Sequence, residues 1–394
     1  MHIVILADAV DNQRAGIHVY TKKIVENLLK IDQENRYTFI HEKENPLFDE
    51  LQETYPEKVT HHIVPKKQSP LAGTFRKFFH IPKLIKTLKP DIVLETCHIG
   101  PFRTPKNTKR AVIIHDLTPI LFPKFHIKRS TIIHKLLLKR VIKNADIIIT
   151  PSENTKKDIL KYQATKAKII AVPPGIEHEE EIEEEKPILE FFKTGDPTKL
   201  RMSPTQKPPT DPPIQSTPYL LYLGTIEPRK NLETLIEAFA ELNSRGEIRG
   251  LNLVLAGDVG WKAENILKKI AEANAKLDAQ IILTGYLTEE EKKNYYKHAE
   301  IFIYPSLYEG FGIPPLEAMA QETAVICSTG GSLKEVFSDN ALTFEPKDKQ
   351  KLKQHIKTLI QNPRLKKEMT RKALEYSKTF NWEKSASEIL KVLL

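Results

Sequence analysis

Residues 308–320 read Y-E-G-F-G-I-P-P-L-E-A-M-A. A glycine-rich turn runs here into two prolines and then into good helix formers. Proline is tolerated in a first helical turn, because the N–H it lacks would have had no intrahelical partner. The spacing therefore predicts a helix entered at Gly312 and Ile313, whose free backbone N–H groups form an anion site. Glu309 falls in the loop before that helix and Glu317 inside its first turns. Anion donors flanked by two acids suit a ligand carrying both phosphate and sugar hydroxyls. Taken alone, two glutamates at this spacing also fit a plain strand-to-helix turn with solvated acids.

Working outward, short β-branched runs alternate with amphipathic stretches along both halves of the 394 residues, the pattern of parallel α/β sheets. Strands are expected at 2–6, 37–40, 91–95, 111–115, 146–150 and 168–172 in the first half. In the second they are expected at 219–224, 251–257, 280–285, 301–305 and 324–328. Their nearly continuous apolar character predicts cover on both faces. Between them, 176–217 opens on IEHEEEIEEEKP and continues through MSPTQKPPTDPPIQSTP. Little of it can be buried, and proline removes ladder donors. It reads as a long linker or insertion, with a helix conceivable at 179–193. The expected division is an N-terminal Rossmann-like domain at 1–175, the linker 176–217, a C-terminal Rossmann-like domain at 218–380 and a closing amphipathic helix at 381–394. That helix is free to pack on the second domain or to cross back to the first.

The hydrophobic fraction of 40% supports two globular cores. The first residues form a strand pattern with no signal-peptide architecture, and no apolar run reaches membrane-spanning length. Cys97 and Cys327 lie in different halves, which excludes a disulfide scaffold and fits a reducing cytoplasm. Charge is uneven. Residues 1–175 hold 30 Lys and Arg against 17 Asp and Glu, and within 66–143 the ratio is 18 to 3. Such concentration predicts an anionic partner for the first half. A membrane surface, a polyphosphate lipid or nucleic acid would each supply such a partner, and no recognised nucleic-acid module accompanies the charge.

Two stretches could meet that surface. In 69–89, Phe75, Phe78, Phe79, Leu84 and Ile85 interleave with Arg76, Lys77, Lys83 and Lys86; in 127–146, Ile132, Ile133, Leu136 and Leu137 are set among basic residues. Apolar burial adds to lipid attraction in such helices, and the phenylalanine cluster points 69–89 towards the interface. The other reading, preferred for 127–146, is a crossover helix with its apolar face in the core.

Gly224–Asn231 reads G-T-I-E-P-R-K-N, at the end of the second half's first strand. Ligands of open α/β sheets bind beyond the carboxyl ends of strands, which places Arg229 and Lys230 to face one. Cations oppose the dipole at a helix N-terminus, so the pair argues for a bound anion. His115-Asp116 follows the strand AVII and fits either a ligand cleft or an ordinary turn. Only Gly16 of Asp8–Gly16 resembles a glycine-rich loop, so no dinucleotide fingerprint is present. Gly16 allows either close ligand approach or plain helix entry. No zinc spacing, Asp-x-Asp, P-loop or nucleophile elbow occurs, and a metal is not demanded.

Together these pieces resemble the retaining group-1, family-4 glycosyltransferases of GT-B fold. The likeness runs through HIVILAD, HDLTPILFP, TPSENTKKDI, VPPGI, GTIEPRKNL, LAGD, LTGYL, YPSLYEGFGIPPLEAMA and FNWEKSA, and leaves out 176–217. The wording of GTIEPRKNL and HDLTPILFP looks most like the mannosyltransferase branch, including O-antigen and lipid-linked glycan enzymes. The resemblance implies two doubly wound domains facing a cleft, with the donor held mostly by the C-terminal one and the acceptor by the N-terminal one. It implies transfer of a hexose from a nucleoside diphosphate sugar, with GDP-mannose suggested by the wording, and no metal or other cofactor. It assigns Glu309 to the donor sugar, Glu317 to the ribose hydroxyls, and Arg229 and Lys230 to the diphosphate. Thr225 stands where many relatives carry arginine, which shifts weight onto Arg229. Phe311, Gly312 and Ile313 match the backbone cradle, His115 the sugar's anomeric side, and Gly16 the loop over the phosphates. Gly257, Gly285, Tyr286 and Leu287 match strand-end loops around the base. The implied partners are a nucleotide-sugar donor, a glycan or lipid-linked saccharide acceptor and an anionic membrane surface, and the implied location is cytoplasmic, peripheral on the inner face. A GT-B-fold sugar-nucleotide epimerase and a non-catalytic sugar-nucleotide or anionic-lipid binding protein remain alternatives.

Overall fold

A computed structural model describes residues 1–12, 16–65, 75–97, 104–126, 128–178 and 218–394; at 12, 128–130 and 133 it describes the backbone alone. The expected linker beyond residue 178 and the helix at 179–193 lie outside the described residues. The chain divides into two compact units. One comprises Met1–Ile176, Glu309–Ile313 and Phe380–Leu394, the other Glu177–Tyr308 and Pro314–Thr379.

Among the described residues the first unit holds seven parallel strands: β1 (His2–Leu6), β2 (Arg36–His41), β3 (Val59–Ile63), β4 (Ile92–Glu95), β5 (Lys109–Ile113), β6 (Ile147–Thr150) and β7 (Lys168–Ala171). Their order is β3-β2-β1-β4-β5-β6-β7. The second holds β8 (Tyr219–Leu223), β9 (Asn252–Ala256), β10 (Ile281–Gly285), β11 (Ile301–Tyr304), β12 (Val325–Ser328) and β13 (Leu342–Phe344), in the order β10-β9-β8-β11-β12-β13. The strand order, not the strand direction, reverses between β1 and β4 in one sheet and between β8 and β11 in the other. These are the switch points at which open α/β sheets leave a crevice.

The strands expected from sequence are present with ends moved by a residue or two. β3 and β13 were not expected. VTHHI and LTF are short and mixed, and both sit at sheet edges, where pairing on one side removes the need for a long apolar run. His115 lies two residues beyond β5 rather than at its last position.

The closing helix, Trp382–Leu393, begins at Asn381, whose side chain accepts from the Lys384 N–H. Its buried residues Trp382, Ala386, Ile389 and Leu393 fall four, three and four apart, one helical stripe. That stripe joins the core of the first unit with Tyr20, Ile24 and Leu28 of the helix Gly16–Ile31. Of the two placements open to it, the helix takes the one that returns to the first sheet.

Candidate active site

In the second unit, β8 and β11 are neighbours, so the turn after one meets the end of the other. Pro228–Lys230 form a single tight turn after β8, and Asn231 then takes a left-handed conformation that starts the helix Leu232–Ser244. Lys230 is buried, and its ammonium donates to the Tyr304 hydroxyl at 2.8 Å. Arg229 donates to the Tyr308 carbonyl at 2.9 Å and to buried Glu227 at 2.7 Å. Neither cation is a loose surface group. Each is held against the carboxyl end of β11, at the switch point. Glu227 offsets part of the Arg229 charge, a contribution absent from the sequence reading although the residue stands in the same motif.

The loop after β9 is fastened to this turn. Ile226 N–H donates to the Asp258 carbonyl and Gly260 N–H to the Ile226 carbonyl, at 2.9 and 3.0 Å. Gly257 N–H donates to the Gly285 carbonyl at 2.8 Å, which ties the ends of β9 and β10 together. Gly257 has φ +127°, and a Cβ there would stand 2.3 Å from the Gly224 carbonyl oxygen. Beyond Gly285, Tyr286 is exposed and Leu287 is buried.

The helix of the deciding segment runs Ile313–Ala320, starting where the prolines place it. Gly312 enters it at φ +102°, a conformation closed to most side chains. Glu317 sits in its second turn, where it accepts from the Tyr296 hydroxyl at 2.9 Å and from Lys292 at 3.4 Å. Glu309 is buried in the loop that belongs to the first unit. There the Gly310 carbonyl accepts from the Ser152 and Thr155 hydroxyls at 2.7 and 3.3 Å, and buried Phe311 meets Phe380 edge-on. Among the described residues, no three His, Cys, Asp or Glu side chains converge to hold a metal ion.

Comparison with known proteins decides the family. The description "Glycosyl transferases group 1" matches residues 207–376, and "Glycosyltransferase Family 4" matches residues 15–180. The chain belongs to the group-1, family-4 glycosyltransferases. It is 29% identical over 304 residues to the O-antigen chain mannosyltransferase B of Escherichia coli, covering 74% of this chain and 72% of that one. Sucrose-phosphate synthase from Thermosynechococcus elongatus superposes with a TM-score of 0.69 at 20% identity, covering 100% of this chain and 98% of that one. Anabaena HepE, in complex with UDP and glucose, gives 0.68 at 15%, covering 100% and 99%. These structures share the GT-B fold.

Within the first unit of this glycosyltransferase, Nε2 of His115 lies 2.9 Å from the carbonyl oxygen of Thr96, just beyond β4. A carbonyl only accepts, so Nε2 carries the proton and Nδ1 is the bare nitrogen. Gly16, exposed, begins the helix that presses Tyr20 edge-on against the His115 ring, with centroids 5.0 Å apart. Burial holds the imidazole pKa below its ordinary 6.5, although the Thr96 carbonyl and Asp116 favour the cation. The unfolded chain then takes up a proton at higher pH than the folded one. Stability falls as pH drops below 6.5 and levels only beneath the folded value. His115→Gln, whose amide can still donate to Thr96, should lose less thermal stability than the parent between about pH 7 and about pH 5.5. An equal loss would remove His115 from that balance.

The basic face expected at 69–89 is corrected in part. Arg76 opens a π-helical turn, Arg76–His80, and is 2% exposed. Its guanidinium forks onto the Asp8 carboxylate at 2.6 and 2.8 Å, and its Nε donates to the Val64 carbonyl. It fastens this turn to the end of β1 and is not available to a surface. Ile85 is also withdrawn, because it lies with Ile81 in the core beneath the helix Ile81–Leu88, and Leu84 packs beside them. Lys83 and Lys86 are exposed, Lys77 and Phe78 are half-buried, and the Phe75 and Phe79 rings lie tilted against each other with centroids 4.5 Å apart while 53% and 59% exposed. Residues 69–74 lie outside the described residues. The helix Lys128–Asn144 buries Leu138, Val141 and Ile142 as a crossover helix does, yet exposes Ile132 and Leu136; the Ile133 side chain is outside the described residues. Among the described residues no helix is long and apolar enough to cross a membrane.

Proposed function

We propose that this glycosyltransferase moves mannose from GDP-mannose to a hydroxyl of a glycan or lipid-linked saccharide in cell-surface polysaccharide assembly, with retention. The observation that carries the choice of sugar is the identity to an O-antigen mannosyltransferase across three-quarters of the chain. Arg229 and Lys230, held at the β8–β11 switch point, take the diphosphate, and the N–H groups at Gly312 and Ile313 add a helix N-terminus. Glu317 takes the ribose, and Gly257, Gly285, Tyr286 and Leu287 border the base. Glu309, Phe311, His115 and Gly16 serve the donor sugar and phosphates. In the step, the bond from the anomeric carbon to the phosphate oxygen breaks and a bond to the acceptor oxygen forms on the same face. The acceptor proton passes to the departing phosphate. Fixed cations stabilise charge as it develops there without reorganising, which is the main catalytic contribution expected of them.

The exposed Phe75, Phe79, Lys83 and Lys86, with Lys77 and Phe78 beside them, support peripheral contact with anionic lipid on the cytoplasmic face. A thermal-shift panel of GDP-mannose, GDP, UDP-glucose, UDP-N-acetylglucosamine and UDP, with and without EDTA, tests the donor. Stabilisation by GDP-mannose and GDP that survives EDTA is expected. A response to uridine nucleotides alone would reassign the base, loss in EDTA would overturn the metal-free clamp, and silence throughout would sink the reading. Vesicles containing anionic lipid should retain the parent and release a Lys83→Glu/Lys86→Glu variant; equal retention would leave a soluble acceptor.

A further inference from the structure

Glu317 is held by a helix the sequence reading left unused. Glu289–His298 follows directly on the Gly285–Leu287 loop, and its start is fixed by a reciprocal cap. Thr288 accepts from the Glu291 N–H while Glu291 accepts from the Thr288 N–H. Lys292 and Tyr296 are four residues apart and share one face. Tyr296 is 1% exposed, its ring edge-on to Phe302 and its carbonyl bonded by the Thr323 hydroxyl, so its phenol has little freedom. That phenol donates to Oε2 of Glu317 at 2.9 Å, and Lys292 reaches Oε1 at 3.4 Å. Lys292 is itself steadied by Glu289 at 2.7 Å. Burial pulls the Lys292 ammonium down, and the Glu317 and Glu289 carboxylates more than offset it, so its pKa is raised and it stays charged.

We propose that Lys292 and Tyr296 are positioning residues that orient the Glu317 carboxylate to read both hydroxyls of a ribose, making the enzyme selective for ribonucleotide over 2′-deoxyribonucleotide donors. An ionised carboxylate has about four acceptor positions on two oxygens. One internal donor on each oxygen leaves each oxygen open to one more, which matches the paired donors of a cis-diol. It also makes carboxylate orientation independent of the ligand, so little ordering remains to be done on binding. The inference rests on the reading of Glu317 as the ribose carboxylate.

Isothermal titration of GDP and 2′-deoxy-GDP, with UDP and 2′-deoxy-UDP beside them, tests it on the parent, Lys292→Met, Tyr296→Phe and Glu317→Gln. Lys292→Met keeps the aliphatic stem and Tyr296→Phe keeps the ring; thermal transitions check that both fold. Each should weaken the ribonucleotide by about tenfold, the scale of one charge-assisted hydrogen bond. The 2′-deoxy form should weaken less, so the ratio between the two falls. Donor KM should rise while kcat changes little. Equal weakening of both sugars would show a merely structural role and overturn the proposal, as would unchanged binding in both variants while Glu317→Gln loses the preference. If Glu317→Gln itself keeps the preference, the ribose reading fails first and the positioning role falls with it.

Discussion

Lys230→Ala is expected to lower kcat for sugar transfer by about 10²–10³-fold, the cost of removing one preorganised charge from developing negative charge, and to weaken nucleoside diphosphate binding as well. The reason is placement. The ammonium is buried and bonded to the Tyr304 hydroxyl, so a diphosphate bound as proposed would meet it in a medium where a charge counts for more than in water. Tyr304→Phe separates aim from charge. It keeps the ring and the lysine but frees the ammonium, and a loss of roughly fivefold is expected from one hydrogen bond. Steady-state kinetics over donor concentration, with titration of GDP, reads both variants. Normal donor kinetics in Lys230→Ala would take the residue out of the clamp and leave Arg229 with the helix N-terminus.

Gly257→Ala should be the most damaging small substitution in the second unit. The new methyl would have to displace the Gly224 carbonyl, which is backbone and cannot rotate away, and the residue would have to hold φ +127°. Overpacking and an unfavourable φ together cost about 3 kcal/mol, a fall in Tm on the order of 5–10 °C for a unit of this size. Because Gly257 N–H bonds the Gly285 carbonyl, the loops assigned to the base should loosen too, and nucleotide binding should weaken along with stability. Differential scanning calorimetry with and without GDP follows both. An unchanged melting curve would mean that the two strand ends are free to part at that point.

Residues 308–320 could be read without coordinates because each inference there is local. Prolines place the helix start, and glycine takes the φ of +102° at Gly312 at little steric cost. The central strands and the edge strands Lys168–Ala171 and Ile281–Gly285 were equally readable from their apolar runs, whereas the edge strands Val59–Ile63 and Leu342–Phe344 were not, since these two are short and mixed in composition. Arg76 shows the opposite failure. Counted with its basic neighbours it looks like surface charge. Only the meeting of its turn with the end of β1 supplies Asp8, 68 residues away, and draws it inside.

The sequence by itself determined a parallel α/β chain with two sets of strands, a helix N-terminus at Ile313 and two glutamates on either side of it. It also determined a basic pair at a strand end and the family to which those motifs belong. Periodicity, proline and glycine act over a few residues and can be read there. Tertiary structure alone decided that β8 lies against β11, which brings Lys230 to Tyr304, and that Lys292 and Tyr296 turn towards Glu317. It also sent the last helix back to the first sheet. Strand order and long-range partners depend on how distant segments bury their faces together, and no local pattern records that.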